Sequence, residues 1–327
     1  MKHWTNYWQT SGALNSFAEG SSAVGYSGDV KEFWFKLFSQ LPEDSRIVDL
    51  GTGNGALALL AQLYSDKKSF DWTVVGIDAA KIDPFGIKTL NEEKQKSFKK
   101  IEFVGSTFIE SMEFPDDSIS AFISQFGFEY SETEKSLNKV HKSLRPKGKL
   151  CLVMHTDDSE IVIESKTGMK INETILSSAL FSLARQLFTE EQEFLNNDNP
   201  SRGEWFKSEI FLTFNKGLRL IVESFLKRFN SKLEKVWVED VVSAFADIMK
   251  KSGDYSPETA IEWINNLEEN LSFHNLRLKD QVKASFTKDE KELFIKNAVK
   301  LNFKVDYSED FLVEHQNAGW ALVLTKN

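Results

Sequence analysis

Val48 to Leu60, VDLGTGNGALALL, constrains the fold of this 327-residue chain more than any other stretch. An apolar run enters a turn holding Gly51, Gly53 and Gly55 and leaves it on a helical pattern. A buried strand that passes through a glycine turn into a helix opens a βαβ unit, because the helix crosses back before the next strand lies down in parallel. The unit repeats. Strands are predicted over 46–50, 72–78, 101–104, 119–124 and 149–155, with helical patterns over 56–64 and 132–144. An amphipathic helix precedes them: Val30, Phe33, Trp34, Leu37, Phe38 and Leu41 fall on one face, and Pro42 stops it. This alternation predicts an α/β fold with a parallel sheet covered on both faces.

The alternation ends after His155. From Ile171 to Leu276 the periodicity is helical. One stripe runs through Ile171, Ile175, Ala179, Leu183 and Leu187. Further helices are marked by Phe206, Ile210 and Phe214, by Val238 to Met249, and by Ile261 to Leu271. Thr287 and Glu290 then have capping-box spacing, and strand patterns at 303–307 and 320–326 close the chain. The expected organisation is an N-terminal lid and helix over 1–45, an α/β domain made of 46–157 and 287–327, and an all-helical insertion over 158–286.

The glycine turn suits two ligands. Gly51, Gly53 and Ala56 satisfy G-x-G-x-x-A, which cradles a dinucleotide pyrophosphate at a helix N-terminus. The same stretch reads D-x-G-x-G-x-G from Asp49 to Gly55. An ionised Asp49 repels a pyrophosphate and suits the α-ammonium of a methionine moiety. Asp78, at the end of the second strand, can accept hydrogen bonds from both hydroxyls of a ribose under either reading. Asp78 therefore points to an adenosyl-type ligand, and Asp49 selects the one without phosphates.

VDLGTGNG and VVGIDAA resemble the first two motifs of the class I S-adenosylmethionine-dependent methyltransferases. FVGSTFIESMEFPDDSISAFIS resembles their adenine-holding strand-loop-strand, and VHKSLRPKGKLCLV the helix-turn-strand after the methyl-transfer position. FKVDY and WALVLTK resemble the closing edge hairpin. The resemblance covers about 46–155 and 287–327 and leaves out the insertion. It implies a seven-stranded Rossmann-like sheet, mostly parallel with an antiparallel last strand, in which the all-helical insertion read from the periodicity falls between strands 5 and 6. It implies S-adenosylmethionine as cofactor and S-adenosylhomocysteine as product. Carried onto this chain, Gly51, Thr52, Gly53, Asn54 and Gly55 form the cofactor turn. Asp49 orients the methionine ammonium, and Asp78 with Ala79 meets the ribose. Many relatives carry Gly-Asp after the third strand; this chain has Gly105, Ser106 and Thr107 there, which puts Ser106 and Thr107 beside the adenine.

Gln125 and Phe126 leave the fourth strand at the carboxyl edge of the sheet, where open α/β folds bind ligands. They are expected near the sulfonium. Glu129 and Tyr130 are each a base or a substrate contact, or, for Glu129, an ordinary carboxylate at a helix start. His155 ends the fifth strand at the same edge, as a general base or as a hydrogen-bonded strand-end residue. No second histidine stands four residues from it, and no metal site is expected. Trp4, Tyr7, Trp8, Phe17 and Tyr26 lie in an N-terminal segment expected to close over the cofactor, with Tyr26 touching it. The insertion is expected to cap the pocket, with a homodimer contact or a plain subdomain as the alternatives.

These readings converge on methyl transfer to an O, N or C nucleophile of a small molecule. The alternatives are a peptide or protein acceptor, a non-catalytic scaffold that binds S-adenosylmethionine, and a nicotinamide oxidoreductase that would place Asp49 beside pyrophosphate. A net charge of −9 disfavours nucleic acid as a partner. Cys151 is the single cysteine, so no disulfide can form within the chain, and no apolar run approaches transmembrane length. A soluble, cytoplasmic protein without membrane insertion is the expectation.

Overall fold

The computed structural model describes every residue except 16–24, 88–89 and 198–200, so Phe17 lies outside the described residues. Two compact units emerge: Met1–Ile163 with Asp280–Asn327, and Glu164–Lys279. In chain order the first unit begins with α1 (Lys2–Thr10), α2 (Gly28–Phe38), α3 (Ala56–Lys68), α4 (Glu92–Phe98) and α5 (Thr133–Ser143). Then come α6 (Glu160–Leu176), α7 (Leu180–Asn196), α8 (Arg202–Trp205), α9 (Glu209–Arg228), α10 (Lys232–Lys251) and α11 (Pro257–Ala284). The first unit resumes in the last turn of α11 and continues with α12 (Lys288–Lys300).

Its sheet contains β1 (Arg46–Leu50), β2 (Thr73–Ile77), β3 (Glu102–Val104), β4 (Ile119–Gln125), β5 (Leu144–Met154), β6 (Phe303–Val313) and β7 (Gln316–Lys326). The order is β3-β2-β1-β4-β5-β7-β6. The first five strands pair in parallel, and β7 runs against both β5 and β6. This is the Rossmann-like sheet with a reversed last strand that the sequence implied. The chain builds outward from β1 to β3, then returns to lay β4 on the other side of β1. That reversal opens a crevice at the carboxyl ends of β1 and β4.

Period-two alternation explains why both faces are buried. Ile47, Ala121, Ile123 and Val153 join one core layer with Trp34 and Phe38 of α2 and Leu57 of α3. Val48, Phe122 and Leu152 turn the other way, to Leu137 and Val140 of α5 and Phe294 of α12. The capping box at Thr287 is present: its hydroxyl accepts from Glu290 N–H, and the Glu290 carboxylate accepts from Thr287 N–H at 2.8 Å.

Several boundaries differ from the sequence reading, each for a local reason. Residues 2–10 are helical, where an irregular lid was expected. Helix α2 ends at Phe38 rather than running to Pro42, because Gln40 and Leu41 N–H groups turn back onto Leu37 and Phe38 carbonyls. Arg145 to Gly148, expected as a turn, lie within β5, but pairing with β4 steps from Leu144 to Lys149 around Lys147 at φ +65°.

The second unit has its own core, with Ile171, Phe181, Trp205, Phe225, Val238 and Ile264 among its fully or nearly buried residues. The stripe from Ile171 to Leu187 is split between α6 and α7. The Ser177 and Ser178 hydroxyls donate to Thr174 and Ile175 carbonyls and draw the chain out of the helix. The insertion was read as 158–286, whereas the compact unit is 164–279. A parallel bridge between Thr156 and Phe286 ties both flanks to the first unit. No described helix is long and apolar enough to cross a membrane.

Candidate active site

β1 delivers Asp49 to the crevice with 1% of its surface exposed. Its Oδ2 accepts from the Thr52 hydroxyl at 2.6 Å and from Ala58 N–H at 3.0 Å, tying the glycine turn to the first turn of α3. Gly51, at φ +70°, lies so close to the β4 exit that a Cβ there would sit 2.7 Å from Gly127 Cα. Gly53, at φ +53°, is covered by the Trp8 indole, which a Cβ would meet at 2.5 Å. Both positions need glycine for conformation and for space. Gly55 caps the start of α3.

β2 delivers Asp78 to the same turn. Its Oδ2 accepts from Gly53 N–H at 2.8 Å and its Oδ1 from Ala80 N–H at 2.7 Å. Asn54 is fully buried, and its amide works away from the crevice. It donates to the carbonyls of Trp8 at 2.8 Å and Ala13 at 2.9 Å, and accepts from Asp83 N–H at 3.2 Å. Asn54 therefore fastens the N-terminal segment onto the turn.

A cavity of about 590 Å³ opens against this turn, within the size range of small-ligand sites. Gly51, Asp78 and Ala79 wall one side; Phe126, Glu129 and Tyr130 come from the β4 exit; Trp4 and Trp8 come from α1. Phe108 and Ile109 add apolar surface, and Asp280 and Lys283 come from the last turn of α11. A recess of about 30 Å³ shares Trp8, Gly51 and Phe126 as walls and adds Tyr26, Asp49, Thr52 and Gln125. The Gln125 amide oxygen accepts from the Trp34 indole at 2.5 Å. Phe126 sits at φ +56°, a backbone region that few non-glycine residues occupy, with its N–H on Val153 O at 2.7 Å.

The cavity and recess thus gather Tyr26, Asp49, Gly51, Thr52, Asp78, Ala79, Gln125, Phe126, Glu129 and Tyr130. They do not take in Ser106 or Thr107. Backbone bonds from Ser106 to Ala80 O and from Thr107 to Asp78 O pin that stretch to the β2 exit, so Phe108 and Ile109 reach the wall instead.

His155, expected as a general base or as a hydrogen-bonded strand-end residue, also stands outside the walls. It is 2% exposed, stacked on Phe126 at 4.3 Å, with the Gln281 amide 3.3 Å from Nε2. Burial pushes its pKa down to about 3, so the resting ring is neutral near pH 7. Its backbone N–H donates to Glu129 Oε1 at 2.8 Å.

Burial raises three carboxylates at this crevice: Asp78 to about 6, Asp49 to about 7 and Glu129 to about 8. Hydrogen bonds pull each of them back in part. The Tyr26 phenol is pushed up by burial and by the charge of Asp49. Such a site is relieved by a cation.

The folded protein holds protons on these groups that an unfolded chain has lost. The stability they contribute is complete below about pH 4 and is lost as the pH rises through about 6, 7 and 8. Buried His155 and His274, pushed down to about 3 and 4, act in the opposite sense only below about pH 6.5. The unliganded protein is expected to melt a few degrees lower at about pH 8.5 than at about pH 6.5. A melting temperature that is flat or rising across that window would contradict buried, proton-holding carboxylates.

Trp4 and Trp8, two of the N-terminal aromatics expected near the cofactor, line the walls from a helix whose signal is the i, i+3, i+4 spacing of Trp4, Tyr7 and Trp8. Other wall residues escaped the sequence reading. Asp280 and Lys283 carried no local signal at all.

A family model described as "Methyltransferase domain" matches residues 41–226. No curated protein matches the chain. Among solved structures, the geranyl diphosphate C-methyltransferase of Streptomyces coelicolor A3(2) is 14% identical, covering 39% of this chain and 43% of that one, with a TM-score of 0.32. A SAM-dependent methyltransferase from Aquifex aeolicus is 17% identical over 45% and 73% of the two chains, with a TM-score of 0.33. The YcgJ protein of Bacillus subtilis is 22% identical over 43% and 56%, with a TM-score of 0.32. The match spans about half the length of the geranyl diphosphate methyltransferase and YcgJ structures.

Proposed function

The chain belongs to the methyltransferase domain family of the class I S-adenosylmethionine-dependent superfamily, and on that premise we propose that it methylates a small molecule held in the cavity. The observation that carries this reading is the pair of buried carboxylates, Asp49 and Asp78, at the glycine turn. S-adenosylmethionine fits this donor and acceptor set. Each Asp78 oxygen meets one backbone N–H and retains capacity for a second bond, as a ribose diol requires. Asp49, with Tyr26 and Gln125 around the recess, would take the ammonium end. Phe108 and Ile109 offer apolar cover for a purine. A pyrophosphate would instead face two buried carboxylates, which disfavours a nicotinamide cofactor.

When bound, S-adenosylmethionine supplies a methyl group already activated by its positive sulfur. The chain's own residues then orient and enclose. Phe126 and Glu129 hold the edge where an acceptor approaches, and Trp8, fastened through Asn54, and Trp4, bonded to Asp280, exclude water. Correct orientation of two reactants can supply about 7–11 kcal/mol. Walls contributed by α1, the β4 exit and the end of α11 support a small acceptor over a peptide.

Calorimetric titration with S-adenosylmethionine, S-adenosylhomocysteine and NADH tests the reading. Binding of the first two on the order of micromolar, with none of the third, is the expected result. Binding of NADH alone would overturn it. Binding without methyl transfer to any small acceptor would leave a scaffold instead of an enzyme.

A further inference from the structure

We propose that the methyl acceptor is a small amine, received as an ammonium ion by Glu129, Asp280 and the rings of Trp4 and Tyr130. This rests on the methyl-transfer reading above and names its substrate class.

Glu129 lines the cavity and is 5% exposed. The His155 N–H at 2.8 Å fixes its Oε1, while Oε2 is buried with no hydrogen-bond partner. In the unliganded protein burial keeps a proton on this carboxyl near neutrality; an ammonium ion would displace that proton and supply the partner that Oε2 lacks. Tyr130 follows directly, and the charges of both Glu129 and Asp280 act on its phenol. Trp4 packs edge-on against Tyr130 at 5.7 Å, and its indole N–H donates to Asp280 Oδ2 at 2.9 Å. His3 meets the same oxygen at 2.7 Å. The second carboxylate is thereby anchored beside both rings.

Aromatic faces with carboxylates between them recognise ammonium ions through charge, N–H donation and cation–π attraction. An alcohol brings one donor and no charge. An acidic acceptor is repelled by Asp78, Glu110, Glu132 and Asp280, which outnumber Lys283 and His3 in the described walls. Asp49 and Asp78 stand at the glycine turn for the donor, which leaves the Glu129 set for the acceptor.

The chemistry balances. The ammonium gives one proton to Glu129 Oε2 and becomes a neutral amine. Its lone pair forms the new N–C bond to the donor methyl as the C–S bond breaks, its electron pair remaining on sulfur. The products are S-adenosylhomocysteine, the N-methylammonium ion and a proton that leaves Glu129 for solvent. A buried carboxyl whose pKa is raised to about 8 is suited to accepting and releasing that proton.

The test is calorimetry on the full chain saturated with S-adenosylhomocysteine, using matched pairs of probes. These are butylamine with 1-butanol, 2-phenylethylamine with 2-phenylethanol, and tryptamine with tryptophol. At least one amine is expected to bind roughly tenfold tighter than its alcohol. Glu129→Gln keeps an oxygen for the His155 N–H and is expected to abolish that preference, leaving affinity for S-adenosylmethionine and S-adenosylhomocysteine unchanged within about twofold. Asp280→Asn, checked for an unchanged melting temperature, is the second variant and should reduce the same preference. No amine preference in any pair, or a preference that survives both substitutions, overturns the proposal. Loss of S-adenosylmethionine binding in Glu129→Gln also overturns it, by assigning this carboxylate to the donor. A wild-type chain that binds neither adenosyl compound removes the methyl-transfer reading itself.

Discussion

Replacing Asp78 with alanine is expected to weaken binding of S-adenosylmethionine by roughly a hundredfold or more. Each hydrogen bond to a charged group contributes about 1.5–3 kcal/mol, and a ribose diol would make two with this carboxylate. The substitution also removes the acceptor of Gly53 N–H and Ala80 N–H, so the glycine turn loses its link to β2. A lower melting temperature is therefore expected alongside the weaker binding. Asp78→Asn separates the two effects. It keeps the side-chain shape and one acceptor but removes the charge, and should lose less stability than alanine while still losing affinity. Calorimetry and thermal denaturation on both variants provide the check. An Asp78→Ala protein that binds the cofactor as tightly as wild type would sink the assignment.

Gly51→Ala carries the largest expected effect on folding. Its Cβ would stand 2.7 Å from Gly127 Cα, backbone against backbone, with no flexible side chain to move aside. The residue also sits at φ +70°, where an L side chain costs about 1–2 kcal/mol. Overpacking adds about 1–3 kcal/mol. The sum is a large share of a typical domain stability of about 5–15 kcal/mol. A fall in melting temperature of roughly 5–15 °C, or failure to fold, is the expected outcome. Gly12→Ala is the matched control: it has φ +64° but no described atom within 4 Å of the added Cβ. It should show the conformational cost alone, about 1–2 kcal/mol. Equal losses at the two glycines would mean that the contact between the β1 and β4 exits contributes nothing.

Much of the α/β unit was legible because its signals are local. Ile47 and Val48 face opposite layers through a period of two, and Thr287 with Glu290 caps α12 through a spacing of three. Asp49 and Asp78 could be placed beside the glycine turn because strand ends and turn length dictate where those side chains emerge. Local signals say less where a long-range contact chooses between local options. Asn54 lies in the glycine turn, where a cofactor contact is expected, and its amide is held by Trp8, Ala13 and Asp83. Ser106 and Thr107 have the right spacing for adenine, but their N–H groups answer to the β2 exit. His155 is at the ligand edge in sequence and behind Phe126 in space.

The sequence by itself determined the strand-turn-helix repeat and the carboxylates at the glycine turn, because backbone period and turn chemistry operate over a few residues; the reversal of the closing hairpin followed from the family resemblance. Only the tertiary structure decided which groups face the cavity. Trp4, Glu129 and Asp280 are far apart along the chain, and no local pattern relates them. Their proximity depends on how α1 and the last turn of α11 pack over the sheet edge, and the charge that Glu129 carries depends on how completely that packing excludes water.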